Sequence, residues 1–158
     1  MDKKIRNQRT KSEAKLLEKA SKIINSPKPF FIPEFTKIKM LFIDGKKLSE
    51  NLDDFPLKKQ KEICKKIGTS VSRLHDSEII HGDLTTSNMI YVDVSGKTDE
   101  SNNKLKSEFS IKPSSLVGGW DEDYKNKKID FQIFFIDFGL GFISQRFEDK
   151  AVDLHLLK

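Results

Sequence analysis

His81-Gly82-Asp83-Leu84-Thr85-Thr86-Ser87-Asn88, running straight into Met89-Ile90-Tyr91-Val92, is the stretch on which the fold turns. It is polar, carries an aspartate and an asparagine five residues apart, and lies between the apolar pair Ile79-Ile80 and a β-rich segment. A second polar triplet, Asp137-Phe138-Gly139, directly follows the apolar Phe134-Phe135-Ile136. Each motif alone is a weak signal, since a capped turn explains the first and chance the second. Together, in this order and each beside a β segment, they have a chemical reason. Phosphoryl transfer from a nucleotide needs a carboxylate near the attacking hydroxyl and oxygen ligands for Mg²⁺. An H-x-D-x-x-x-x-N loop with a D-F-G turn supplies both. On this reading Asp83 orients or deprotonates the acceptor, while Asn88 and Asp137 hold Mg²⁺ on the phosphates.

Outward from the loop, residues 56–76 carry the clearest helical pattern. Ile63, Ile67, Val71 and Leu74 make one apolar stripe, and Pro56 stands where a first turn tolerates it. A second helix is expected over 8–25, from Ala14, Leu17, Ala20 and Ile24 with Leu16 and Ile23 widening the stripe, ended by Ser26-Pro27-Lys28-Pro29. Phe30 to Ile43 reads as extended up to an Asp44-Gly45 turn, and Phe131 to Ile136 as a strand. The last ten residues, Asp149 to Lys158, read as helix. Residues 93–130 are rich in Ser, Asn, Lys and Asp without periodicity, which predicts a disordered insert.

The chain has 158 residues, enough for one domain or one lobe of a larger one. Hydrophobic residues make up 36% and charged residues 34%, so a core can form while much of the surface is solvated. The longest apolar runs, such as Met40-Leu41-Phe42-Ile43, are too short for a spanning helix, and no apolar segment follows Met-Asp-Lys-Lys as a signal peptide would require. Cys64 is the only cysteine, which excludes an internal disulfide and a multi-cysteine metal site and fits a reducing compartment. The formal net charge is +5 and is concentrated in residues 1–28 and 57–73. Such patches suit phosphate or RNA contact, or are simply solvated helix faces.

Beyond chemistry, His81-Gly82-Asp83-Leu84-Thr85-Thr86-Ser87-Asn88-Met89, Ile136-Asp137-Phe138-Gly139-Leu140-Gly141 and Glu148-Asp149-Lys150-Ala151-Val152-Asp153-Leu154 resemble the small atypical kinases of the KEOPS (EKC) complex, also called PRPK or Bud-type kinases. Arg9-Thr10-Lys11-Ser12-Glu13-Ala14 is similar to that family's R-T-x-x-E-A helix, and Met40 to Gly45 to its hinge strand. The resemblance covers nearly the whole chain outside 93–130. It implies an α+β, protein-kinase-like fold: mainly the helical C-lobe (46–158), with helix C and the hinge strands of a truncated N-lobe (1–45).

The resemblance further implies ATP and Mg²⁺ as cofactors and protein serine/threonine kinase or ATPase activity. The expected partners are a Kae-type threonylcarbamoyl transferase and other KEOPS subunits, acting on position 37 of tRNA. The tRNA would be met indirectly or through basic patches, in cytoplasm, nucleus or both, with no membrane. By the same resemblance Asp83 is catalytic, Asn88 and Asp137 are metal ligands, Glu13 is the helix-C glutamate at the nucleotide, and Asp153 is a buried aspartate bracing the loop. Gly82 stands where ordinary protein kinases carry an arginine, and nine residues separate Gly139 from Asp149, so no conventional activation segment is expected.

The chain departs from that family's pattern in carrying no Gly-rich loop and no V-A-I-K-like strand before Glu13, so the lysine that Glu13 should hold is missing. The family's later helix and basic tail are also not seen. The expectation is a chain short at both ends and nearly inactive as it stands. Two alternatives stay open. One is a RIO-type kinase or an aminoglycoside-type phosphotransferase, which also carry H-G-D. The other is a C-lobe scaffold that binds its transferase partner without chemistry. Elsewhere, His81 is expected to anchor the loop by hydrogen bonds, His75 and His155 to be surface or packing residues, Cys64 to be a small core residue, Thr85, Thr86 and Ser87 to shape the loop, and Trp120 to be incidental.

Overall fold

A computed structural model describes residues 2–30, 37–95 and 130–157. The predicted insert lies almost wholly outside them, as do Trp120 and most of the stretch between Phe30 and Lys37. Four helices and seven short strands are described: α1 (Asp2–Ala20), β1 (Pro29–Phe30), β2 (Lys39–Met40), β3 (Lys46–Lys47), α2 (Leu48–Asn51), α3 (Leu57–Asp76), β4 (Ile79–Ile80), β5 (Met89–Asp93), β6 (Phe131–Phe135), β7 (Phe142–Ile143) and α4 (Phe147–His155). The architecture is α+β, as the sequence implied.

The strands pair antiparallel in three small sheets: β1 with β2, β3-β5-β6, and β4 with β7. The ladder between β5 and β6 runs from Met89 opposite Phe135 to Asp93 opposite Phe131. It is continued by the Val94 amide donating to the Asp130 carbonyl at 2.9 Å. The long excursion between residues 95 and 130 therefore leaves and re-enters at a paired strand end. The register that carries Asn88 and Asp137 is undisturbed by it.

Burial explains the layers. The stripe of α3, Ile63, Ile67, Val71 and Leu74, is buried as its period requires, and it packs in one cluster with Leu16, Leu17 and Ala20 of α1, Met89 and Tyr91 of β5, and Ile133 and Phe135 of β6. At one edge Tyr91 stacks on Phe131 with ring centroids 5.2 Å apart, and the ammonium groups of Lys59 and Lys66 each stand 4.0 Å from the Phe131 ring centre. Two lysines of the basic 57–73 segment thus place their ammonium groups on the core's aromatic edge.

Several boundaries differ from expectation. The first helix ends at Ala20, not residue 25. The amides of Ile23 and Ile24 then both donate to the Ala20 carbonyl in a turn that still delivers Ile24 to the core, so the apolar spacing outlives the helix. The final helix begins at Phe147 and ends at His155, and among the described residues of the stretch from Phe30 to Ile43 the ladder consists of Phe30 and Lys39–Met40. Pro56 is the N-cap of α3 and not a first-turn residue. Cys64 is exposed, because it falls one position beyond Ile63 and turns off the buried stripe.

Candidate active site

The loop begins where β4 ends. Ile79 and Ile80 are buried, and the chain then enters His81, which has no exposed surface. Buried backbone amides must find partners, and here one side chain supplies them. The Asp153 carboxylate of α4 accepts the His81 N–H on Oδ2 at 3.0 Å and the Gly82 N–H on Oδ1 at 2.9 Å. Gly82 itself has φ +79°, and a Cβ there would stand 2.2 Å from the Leu140 carbonyl oxygen. No L side chain fits that backbone or that space, which is the physical reason no arginine stands at this position.

His81 is fixed at both ring nitrogens. Nε2 faces the Ile136 carbonyl oxygen at 3.1 Å, so it carries the proton, while Nδ1 accepts a longer contact, 3.4 Å, from the Asp83 N–H. The ring also lies against Phe138 of the D-F-G triplet, centroids 4.5 Å apart. Burial pushes the imidazole pKa down, against the opposing pull of Asp153, the Ile136 carbonyl, Asp83 and Asp137. The predicted anchoring role fits this neutral tautomer.

Asp83 and Asn88 meet directly. The Asn88 Nδ2 donates to the Asp83 carboxylate Oδ2 at 2.8 Å and to the Asp83 carbonyl at 3.0 Å. This folds Thr86–Asn88 into one 3₁₀ turn, which Thr85 caps without any side-chain hydrogen bond, so its hydroxyl does not shape the loop by capping. The Asn88 carbonyl in turn accepts the Ile136 amide at 3.0 Å. The loop and the strand leading to Asp137 are thereby tied together.

Asp137 is exposed and left-handed, φ +60°, a conformation that costs a non-glycine residue about 1–2 kcal/mol. Its Oδ1 accepts the Gly139 N–H at 3.2 Å, which stabilises the turn locally. Across from it, Glu13 of α1 reaches the same place. The Glu13 Oε2 lies 3.8 Å from where a Cβ on Gly139 would be. Burial raises the Glu13 pKa above 4.5, and the neighbouring Asp137 charge raises it further. The ion pairs seen among the described residues do not include Glu13.

All four residues singled out from the sequence are thus placed around two linked points: Asp83 with Asn88, and Asp137 with Glu13. His81 lies close enough to feel the charge of both aspartates. The donor set fits Mg²⁺. Asn88 commits its Nδ2 to Asp83, which leaves Oδ1 as a ligand atom, and Asp137 adds an exposed carboxylate. Among the described residues no three of His, Cys, Asp and Glu converge as a metal cluster. An ion held by one carboxylate, one amide oxygen and phosphate oxygens is the usual arrangement for Mg²⁺. His75, expected to be a surface or packing residue, also hydrogen-bonds to the residue that holds the loop. It is 7% exposed, and its Nε2–H donates to Asp153 Oδ2 at 2.9 Å. Its position on the buried stripe, next to Leu74, was the available signal.

The comparisons with known proteins bear on the family. Residues 2–97 match the RIO domain. Over its whole length the chain is 31% identical to the KEOPS complex subunit Bud32 of Pyrococcus abyssi, covering 56% of that protein. It is 34% identical to the EKC/KEOPS complex subunit BUD32 of Encephalitozoon cuniculi, covering 60% of it. It is 36% identical to a segment making up 22% of a "probable bifunctional tRNA threonylcarbamoyladenosine biosynthesis protein" of Methanobrevibacter smithii. The chain therefore spans little more than half the length of the Bud32 proteins it matches. The RIO-type and KEOPS-type readings of the motifs, opposed on sequence, meet in these matches: the chain belongs to the RIO-domain family, within which it is similar to the Bud32 type.

Proposed function

We propose that the chain is the phosphate-handling part of an atypical serine/threonine kinase or ATPase of the KEOPS complex, supporting threonylcarbamoyl-adenosine modification of tRNA. The observation that carries this reading is the Asp83–Asn88–Asp137 constellation, held by backbone bonds to Asp153, Ile136 and Gly139. The names of the full-length relatives support the complex and the tRNA pathway. Residues 1–45 are assigned to a partial N-lobe and 46–158 to the C-lobe. The partners are a Kae-type transferase and further KEOPS subunits. Exposed Leu140, Phe142, Val152 and Leu156, which share one shallow cavity with Gly82, support a protein partner on that side.

In this reading Asn88 holds the Asp83 carboxylate by Oδ2, and the other oxygen is left to accept the proton of an attacking hydroxyl or water. Asn88 Oδ1 and Asp137 would hold Mg²⁺, which supplies charge neutralisation on the ATP phosphates. His81, kept neutral, positions the loop and moves no proton. Glu13 brings a second carboxylate to the nucleotide side and asks for a cation. No such cation is paired with it among the described residues.

The test is ATP turnover by the intact protein with Mg²⁺, alone and with its transferase partner. Asp83→Asn is expected to lower turnover by about 100-fold or more, the usual scale for losing a general base. Equal rates in wild type and variant would exclude the phosphotransfer reading. Isothermal titration with Mg-ATP on the 158-residue chain separates enzyme from scaffold. Mg-ATP binding there would favour the enzyme, and its absence the scaffold.

A further inference from the structure

We infer that the outward face of α3 binds the phosphate backbone of RNA through the row Lys58, Lys61 and Lys65. The choice of RNA as the polyanion rests on the tRNA-modification reading. All three lysines are exposed, on the side of the helix opposite the buried stripe of Ile63, Ile67, Val71 and Leu74. They recur at steps of three and four residues, so they stand one above another, roughly 4.5 and 6 Å apart along the axis. The one acid between residues 57 and 73 is Glu62, half-buried beside the row. Among the described residues Lys58 and Lys61 enter no ion pair. Lys61 and Lys65 oppose each other as like charges four residues apart, which weakens a helix by itself. A chain of phosphates laid along the row replaces that repulsion with attraction and releases its own counterions.

Two further cations are held in place beside the row. Lys59 and Lys66, both half-buried, each carry the ammonium group 4.0 Å from the Phe131 ring centre. The Lys66 Nζ also donates to the Phe131 carbonyl at 2.6 Å. Side chains ordered in this way have little freedom left to lose when an anion arrives. Beyond Lys65 the surface is low. At Gly68 a Cβ would meet nothing within 4 Å, and the Thr69 hydroxyl turns back to the Lys65 carbonyl at 3.0 Å. Nothing bulky there keeps a nucleic-acid backbone from lying against the helix. The row itself contains no apolar side chain, whereas a protein interface is built around an apolar centre and a nucleic-acid interface is polar and positively charged. The strands β5 and β6, which follow Asn88 and lead to Asp137, pack on the buried side of α3. The RNA face and the proposed Mg-ATP site therefore share no residue.

The experiment measures binding of an unmodified tRNA transcript to the intact protein, alone and with its transferase partner, by fluorescence anisotropy from about 50 to about 200 mM salt. Lys58→Gln/Lys61→Gln/Lys65→Gln removes the charges and keeps good helix formers at exposed positions. It should weaken binding at least about tenfold at the lowest salt and flatten the slope of log K against log salt by about two. Lys58→Arg/Lys61→Arg/Lys65→Arg keeps the charge and should bind within about twofold of wild type. Lys15→Gln/Lys19→Gln/Lys28→Gln removes the same charge from exposed positions elsewhere and should cost less than about threefold. None of these measurements needs turnover, so they decide the inference whether or not Asp83→Asn overturns the phosphotransfer reading. Wild-type affinity and salt slope in the α3 Gln variant overturn it, as does an equal loss in the Lys15/Lys19/Lys28 variant. So does a wild-type protein that binds no tRNA at the lowest salt, alone or with its partner. An α3 Gln variant that keeps the tRNA and loses only the transferase partner also overturns it, by making this face a protein interface.

Discussion

The two halves of the candidate site are built on opposite principles. Around His81–Asn88 the polar groups find partners inside the protein: Asp153 takes two amides and His75, His81 is bonded at both ring nitrogens, and Asn88 clasps Asp83. Around Asp137 the balance is reversed. The turn is exposed, its aspartate sits in a left-handed conformation, and the neighbouring group from α1 is a second carboxylate. One half is complete before any ligand arrives. In the other, no cation offsets the two carboxylates among the described residues, as the proposed role of receiving a cation with its phosphates requires. The difference teaches which half should respond to mutation as structure and which as chemistry.

The largest effect is expected from breaking the complete half. In Gly82→Ala the new methyl meets the Leu140 carbonyl at a position with φ +79°. Left-handed strain and overpacking together should cost about 2–5 kcal/mol, measurable by urea denaturation. A loss below about 0.5 kcal/mol would show that the loop yields easily and that its order is not imposed by packing.

Asp137→Asn tests the other half and should separate stability from turnover. Asparagine tolerates the left-handed conformation as well as aspartate does, and the substitution removes the like charge facing Glu13. The melting temperature should hold or rise slightly, while turnover of the intact protein falls at least about tenfold through loss of a metal-binding carboxylate. Near-normal turnover would take Asp137 out of the metal site.

The smallest effect sharpens the electrostatic contrast. The folded protein holds the Glu13 proton more tightly than the unfolded chain does, since burial first and Asp137 second raise its pKa above 4.5. Ionised Glu13 therefore destabilises the fold above its raised pKa, and this cost fades as pH falls towards the unfolded value. Glu13→Gln in metal-free buffer should be more stable than wild type at pH 7, by less than about 0.5 kcal/mol for so partly exposed a group. The advantage should shrink on acidification towards pH 4.5. A variant less stable than wild type at pH 7 would mean that Glu13 has a cationic partner after all.

Much of the site was legible because its chemistry is compressed into short strings. Asp83 and Asn88 stand five residues apart, and a 3₁₀ turn is enough to bring them into contact. Asp137 is marked by the end of a five-residue strand. The stripe of α3 was equally plain, since a 3.6-residue period with four branched apolar residues admits one buried face. The ends of α1 and α4 were less plain. Apolar spacing reports which residues are buried, and a turn can bury Ile24 as well as a helix can. Cys64 was misread for a related reason: a residue type that favours burial was placed inside although its angle on α3 points outward.

The sequence by itself determined the loop and turn motifs and, through the family likeness that they carry, the α+β class, because the motifs depend on residues near one another in the chain. The family likeness already implied Asp153 as the brace of the loop, and only the tertiary structure decided which atoms it binds and what meets it there. Asp153 reaches it from more than seventy residues away, His75 arrives at the end of a different helix, and Glu13 meets Asp137 across more than a hundred residues. Such contacts depend on how helices pack, and packing is a property of the whole core that no local spacing encodes.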